Sequence, residues 1–250
     1  MLYDTLHYMI ALNLKLFFVL IAFGFIIGQT RQIAVRNISD KKLGNFLLDI
    51  FNLAGTPVHE LGHLFFAVLF GYKIDQVSLF STMKKSKKNG GTLGFVKMHH
   101  EGTSFLSRLQ RDMGQFFIGI GPLLMGPLII FIFSRLLPER IRSLPVSFRT
   151  GFDSFIKALH QLSATDIMLM FVFLYFMAGI SLNMELSRQD MEMALKGVFF
   201  LEILFLLLAF TSSVFQLNLD YGINILFRWN LIISCTGIIS SLIANLIALL

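Results

Sequence analysis

Six stretches of this chain are each close to the roughly 20 apolar residues needed to cross a hydrocarbon core, which leaves few folds open. They run approximately from Met9 to Gly28, Phe46 to Phe70, Met113 to Leu136, Thr165 to Asn183, Leu195 to Phe215 and Ile223 to Leu250. Backbone polar groups in lipid must be satisfied within their own segment, so each stretch is read as a helix. Composition agrees: 55% of the 250 residues are hydrophobic, 28 are Phe, mean hydropathy is +0.72 and 14% are charged. An aqueous domain would carry about 25% charged residues. A water-soluble enzyme, a disordered chain and a nucleic-acid binder are thereby excluded. The expectation is an all-α polytopic membrane protein with about six transmembrane helices.

The formal charge of +6 comes from 21 Lys and Arg against 15 Asp and Glu. These basic residues flank apolar segments, where anionic lipid headgroups of the bilayer meet them. Counted over alternate connections, eleven fall on one side and ten on the other, so the charge bias does not orient the chain. The single cysteine, Cys235, excludes an intramolecular disulfide framework and a Cys-rich zinc cluster. The run Leu16 to Gly28 is long enough for a signal sequence, but Gln29-Thr30-Arg31-Gln32 offers no small-x-small cleavage site, so an uncleaved span is expected.

The connection from Gly71 to Asp112 is long and basic. A turn-forming Lys87-Lys88-Asn89-Gly90-Gly91 separates two β-prone runs, Val77 to Phe80 and Leu93 to Val96, which can pair as a hairpin. Pro138 to Leu162 reads as an amphipathic or irregular surface segment. Arg228 and Asn230 beside Trp229 place the start of the last segment at headgroup level.

Within the second apolar segment lies Gly55-Thr56-Pro57-Val58-His59-Glu60-Leu61-Gly62-His63, a His-Glu-x-x-His sequence. On a helix His59 and His63 project from one face, so two imidazoles can share one zinc ion with Glu60 beside the open coordination position. A shuffled chain of this composition would contain the pattern with a probability of about 0.003, so coincidence explains it poorly. Ionisable groups at membrane depth are expensive and mark function. Pro57 either kinks the helix, freeing a carbonyl near Leu53, or begins it after an irregular link from Asn52 to Gly55.

The sequence His59 to Gly71, a β-prone loop, and then Gly119-Ile120-Gly121-Pro122-Leu123-Leu124 in the next span together resemble the site-2 protease class of intramembrane zinc metalloproteases. The resemblance covers about Phe46 to Gly197. It implies a three-span core, a short membrane-associated β-hairpin after the zinc helix, a Zn2+ cofactor and an Asp from a later span as third ligand. Asn183-Met184-Glu185-Leu186-Ser187-Arg188-Gln189-Asp190 is the nearest counterpart of the family's Asn-x-x-Pro-x-x-x-x-Asp-Gly sequence, but it lacks the Pro, is one residue shorter and has Met191 in place of Gly. The resemblance assigns the metal to His59, His63 and Asp190, with Glu185 and then Asp166 as alternatives, and catalysis to Glu60 and Asn183. Asp190 also fits an acid three residues after a Ser187 N-cap, and Asn183 a polar residue ending a span.

Other polar residues carry less. Asp49 lies near three helical turns before Glu60 and is read as an interfacial or paired acid. His99, His100 and Glu101 are read as solvated or at headgroup level, and Glu202 needs a partner or protonation. The expected organisation is an N-terminal span and basic loop (1–44), a metalloprotease core (45–197) and two C-terminal spans (198–250). The expected activity is zinc-dependent cleavage of a transmembrane protein substrate in or near its membrane segment, by a multi-pass protein of a bacterial cytoplasmic membrane. A CAAX-type membrane metallopeptidase would want a Glu ligand in a Glu-x-x-x-Asp context, which is not found. A non-hydrolytic metal transporter or sensor leaves Glu60 without a purpose.

Overall fold

The computed structural model describes residues 1–38, 42–88, 92–144, 156–157 and 159–249. The chain starts with α1 (Leu2–Ala11), which continues through a π-helical stretch (Leu12–Phe18) into α2 (Val19–Ile38). Next come α3 (Lys42–Leu69), β1 (Lys73–Ser78), α4 (Met83–Lys88) and β2 (Phe95–His99). The remainder is helical: α5 (Phe105–Leu136), α6 (Glu139–Arg142), α7 (Ala164–Leu182), α8 (Arg188–Val214) and α9 (Asp220–Leu249).

Five helical stretches among the described residues are long and apolar enough to cross a membrane: Leu2–Ile33, Phe105–Leu136, Ala164–Leu182, Arg188–Val214 and Asp220–Leu242. The protein is thus a multi-pass integral membrane protein. α3 is not among the five, because Asn52, Thr56, Pro57, His59, Glu60 and His63 interrupt its apolar sequence. The first helix also reaches well beyond the expected Met9 to Gly28 at both ends.

α3 runs unbroken from Lys42 to Leu69 with Pro57 inside it, so the irregular link considered for Asn52 to Gly55 does not form. It ends in a turn at Gly71, whose φ of 72° suits glycine, and the chain reverses into the hairpin. β1 and β2 pair antiparallel from Lys73↔His99 to Ser78↔Phe95, with an irregularity between Ile74 and Gln76. The hairpin therefore exists but is displaced toward α3: of the expected strand residues, only Val77, Ser78, Phe95 and Val96 are paired. Its far end is not a tight turn. Met83 packs against Leu48 of α3, with Val35 and Leu93 alongside, and Asp49 accepts a hydrogen bond from Met83 N at 2.7 Å, which folds α4 onto α3. The expected turn residues Asn89 to Gly91, and 145–155 and 158 of the expected surface segment, lie outside the described residues.

Lipid is as apolar as a leucine side chain, so close backbone approach rather than burial of hydrocarbon has to hold such helices together. α5 sits at the centre. A Cβ added at Gly62 would stand 2.7 Å from the Gly121 carbonyl carbon, and one at Gly121 would stand 2.7 Å from Gly62 O, so α3 and α5 touch backbone to backbone. On its other faces α5 buries Phe116 and Ile120 against Ala194, Leu201 and Phe205 of α8, and Leu123 and Ile130 against Ile180 and Ile233. α7 stops at Leu182 and α8 starts at Arg188, and the unwound segment between them passes beside His59.

Candidate metal centre

His59 and His63 stand one turn apart on α3, ring centroids 4.9 Å apart. Each ring gives its Nδ1 proton to a backbone carbonyl: His59 to Asn183 O at 2.8 Å, His63 to Ile118 O at 2.7 Å. Both carbonyls are available for a local reason. Asn183 caps the end of α7, where carbonyls lack an intrahelical donor. Ile118 is four residues before Pro122, which has no N–H to return to it. The Gly62–Gly121 contact brings that carbonyl within reach of His63.

A carbonyl can only accept, so both Nδ1 atoms carry a proton, and in the neutral rings both Nε2 atoms then present lone pairs. Those lone pairs face each other at 3.1 Å. Asp190 Oδ1 lies 3.3 Å from His63 Nε2 and Oδ2 lies 3.8 Å from His59 Nε2. Three acceptors converge with no proton between them, which is repulsive unless a cation is shared. Their ligand atoms all lie within 4.8 Å of one another, and two imidazoles with one carboxylate are a zinc-compatible donor set. The cluster is geometrically suited to a divalent metal such as zinc.

Asp190 holds its position through its neighbours. Its Oδ2 accepts from Ser187 N at 2.9 Å, and its own N–H donates to Ser187 Oγ at 3.1 Å, forming a capping box at the start of α8. The N-cap and cluster readings of this residue thus hold together, because the carboxylate is long enough to serve both. The other two acids considered as ligands are engaged elsewhere. Glu185 accepts from Arg31 Nη1, and Asp166 closes a capping box with Ser163 at the opposite end of α7.

Glu60, Asp190 and both histidines line a cavity of about 550 Å³ shared with Arg31 and Asn183. Glu60 is buried there, and Gly94, just before β2, packs so closely that a Cβ would stand 2.6 Å from Glu60 Cγ. The hairpin therefore forms a wall directly over this carboxylate. The Asn183 side chain is buried and anchored: Oδ1 accepts from Arg31 Nη2 at 3.0 Å and Thr56 Oγ1 at 3.3 Å, and one N–H of Nδ2 donates to Gly179 O at 2.9 Å.

The remaining polar candidates lie away from the cluster. Asp49 holds α4. His99 is half exposed between Asp75 and Glu101. Hydrogen bonds first from Asp75 and then from Glu101 raise the His99 pKa above its ordinary range, while Lys73 holds that of Glu101 below its own. His100 meets the Tyr72 ring edge on. Glu202 accepts from Asn13 Nδ2 at 3.2 Å, which supplies the partner its burial requires.

Arg31, Asn52 and Thr56 also belong to this neighbourhood and escape a motif search, Arg31 because it reads as a loop charge. A signal was nonetheless there: Asn52, Thr56, His59 and His63 recur at intervals of four, three and four, one polar stripe along α3.

No curated protein and no solved structure matches the sequence. Residues 33–224 match the family described as Peptidase M50B-like. That stretch takes in the polar stripe of α3, the hairpin, the glycine contact with α5 and the capped Asp190, and with the His59/His63/Asp190 cluster consistent with a site-2 protease-like zinc site, the chain belongs to the Peptidase M50B-like family.

Proposed function

We propose that this protein is a zinc-dependent intramembrane endopeptidase that hydrolyses a peptide bond in or near a transmembrane segment of another membrane protein. The observation that carries the reading is the convergence of three proton-free acceptors, His59 Nε2, His63 Nε2 and the Asp190 carboxylate, beside Glu60 in one cavity. His59, His63 and Asp190 would hold the ion. Bound zinc supplies Lewis acidity, lowering the pKa of water toward about 7 and polarising a carbonyl.

Glu60 is the general base. Its carboxylate takes a proton from the water that attacks the scissile carbonyl and returns one to the nitrogen of the leaving amine. Asn183 is proposed to orient the substrate carbonyl: it lines the same cavity, and its Nδ2 carries a second N–H beyond the one given to Gly179 O. A helical substrate hides its carbonyls in its own hydrogen bonds and must be unwound first. β2 offers an edge for the opened segment, since β1 occupies only one side of it and Phe95, Val96 and Met98 border the cavity.

In this reading α3 crosses the bilayer as a sixth span, the catalytic core is 45–197, and the host is a bacterial cytoplasmic membrane. The test is Glu60→Gln in purified protein with a transmembrane substrate. The variant should keep zinc and lose cleavage by at least 100-fold, in line with the weight of general-base catalysis. Undiminished cleavage would end the mechanism.

A further inference from the structure

An arginine within an apolar helix is expensive unless every charge and donor finds a partner. Arg31 of α2 is 7% exposed and reaches three partners through its two Nη atoms, while its buried Nε makes no hydrogen bond among the described residues. Its Nη1 donates to Glu185 Oε1, and its Nη2 donates to Asn52 Oδ1 and Asn183 Oδ1, each at 3.0 Å. These acceptors sit on three separate pieces of chain: α3, the end of α7, and the unwound stretch between α7 and α8.

That unwound stretch has no ladder of helical hydrogen bonds of its own, yet two parts of the metal cluster depend on it. Asn183 O takes the Nδ1 proton of His59, and Ser187 begins the helix that presents Asp190. α2 packs chiefly against α9 and touches α3 little, and beside the guanidinium it meets the unwound stretch where a Cβ at Gly28 would stand 3.5 Å from Glu185 Cβ. A lysine could neutralise Glu185, but a single ammonium group lacks the planar fork that meets a carboxylate and two amides at once.

We propose that Arg31 is a positioning residue of the metal centre, clamping residues 183–187 against α3 so that the Asn183 carbonyl holds His59 with its Nε2 aimed at the ion. The inference rests on the reading of His59, His63 and Asp190 as a zinc site. Orienting partners of metal-bound imidazoles typically change metal affinity by roughly 10- to 100-fold when removed.

The experiment measures Zn2+ affinity of the purified full chain by competition with a chromogenic chelator, and thermal unfolding of the metal-free protein in the same detergent. The variants are Arg31→Gln, Arg31→Lys, Glu185→Gln and, as a control that removes a half-buried charge elsewhere in the fold, Glu202→Gln. Arg31→Gln should weaken Zn2+ binding by roughly 10- to 100-fold and shift the visible spectrum of the Co2+-loaded protein, which reports ligand geometry. Arg31→Lys should recover part of the affinity, Glu185→Gln should lose less than Arg31→Gln, and Glu202→Gln should keep wild-type affinity. Should Arg31→Gln fail to fold, Arg31→Lys and Glu185→Gln read the same quantity. Wild-type Zn2+ affinity and an unshifted Co2+ spectrum in these variants would overturn the assignment, as would an affinity loss in Glu202→Gln equal to that of Arg31→Gln. Wild-type protein that takes up no Zn2+ would overturn the zinc reading itself, a different result from unchanged affinity in the variants.

Discussion

Asp190 caps α8 and faces the two histidines with one carboxylate, and the two contacts can be separated. Replacing Ser187 by Ala removes the side-chain half of the capping box and should lower stability by about 1 kcal/mol while zinc is retained. Asp190→Asn leaves an oxygen that can still accept from Ser187 N but removes the negative charge facing the imidazoles, so zinc affinity should fall with little change in unfolding temperature. Metal stoichiometry and thermal unfolding of both variants check this, and equal zinc loss in the two would contradict it. His59, Glu60 and His63 were readable from spacing alone because an α-helix repeats every 3.6 residues whatever surrounds it. Arg31 was not, since nothing local distinguishes a charge that ends a span from one that turns back into the protein.

At the scale of elements, the histidines are oriented by carbonyls that irregular helices leave free. Pro122→Ala would restore an N–H able to claim Ile118 O, in competition with His63 Nδ1. The expected result is a helix at least as stable and a zinc affinity lowered by roughly 10- to 100-fold, measured by chelator competition. Gly62→Val tests the neighbouring contact: its side chain meets the α5 backbone, and overpacking of this kind should lower stability by about 1–3 kcal/mol in a thermal melt.

The hairpin base has a pH dependence of its own. His99 titrates above its ordinary 6.5, so its contribution is complete below about pH 6.5 and is lost as pH rises through the elevated value. Glu101 titrates below its ordinary 4.5, so it contributes above about pH 4.5 and fades as pH falls through the depressed value. The network of Lys73, Glu101, His99 and Asp75 is therefore firmest between about pH 4.5 and 6.5. A ring titration of His99 by NMR should show a midpoint above 6.5 that drops on Asp75→Asn. The existence of the hairpin was legible in its β-prone runs. Its register was not, because the Gly71 turn starts β1 four residues earlier than the hydrophobic pattern suggests, and α4 takes up chain that reads as a turn.

For the molecule as a whole, a metal held by the cluster would be coupled to folding. An ion bound by the folded protein alone stabilises it by about 2.7 kcal/mol when free zinc is 100 times Kd. The unfolding temperature in detergent should thus rise with zinc and fall on chelation, and a His59→Ala/His63→Ala variant should lose that dependence. A zinc-independent melting curve for the wild type would count against a resident metal.

Sequence alone determined that the chain lives in a membrane, that it is helical, and that one helix carries a metal-ready face, because hydropathy, backbone satisfaction and helical periodicity are local properties. Tertiary structure chose among the candidate acids, bringing to the histidines Asp190, the first choice that the resemblance implied, and giving Glu185 to Arg31. Those choices depend on where α7 breaks and how closely Gly62 lets α5 approach. Both are set by contacts between residues far apart in the chain, which no pattern along the chain encodes by itself.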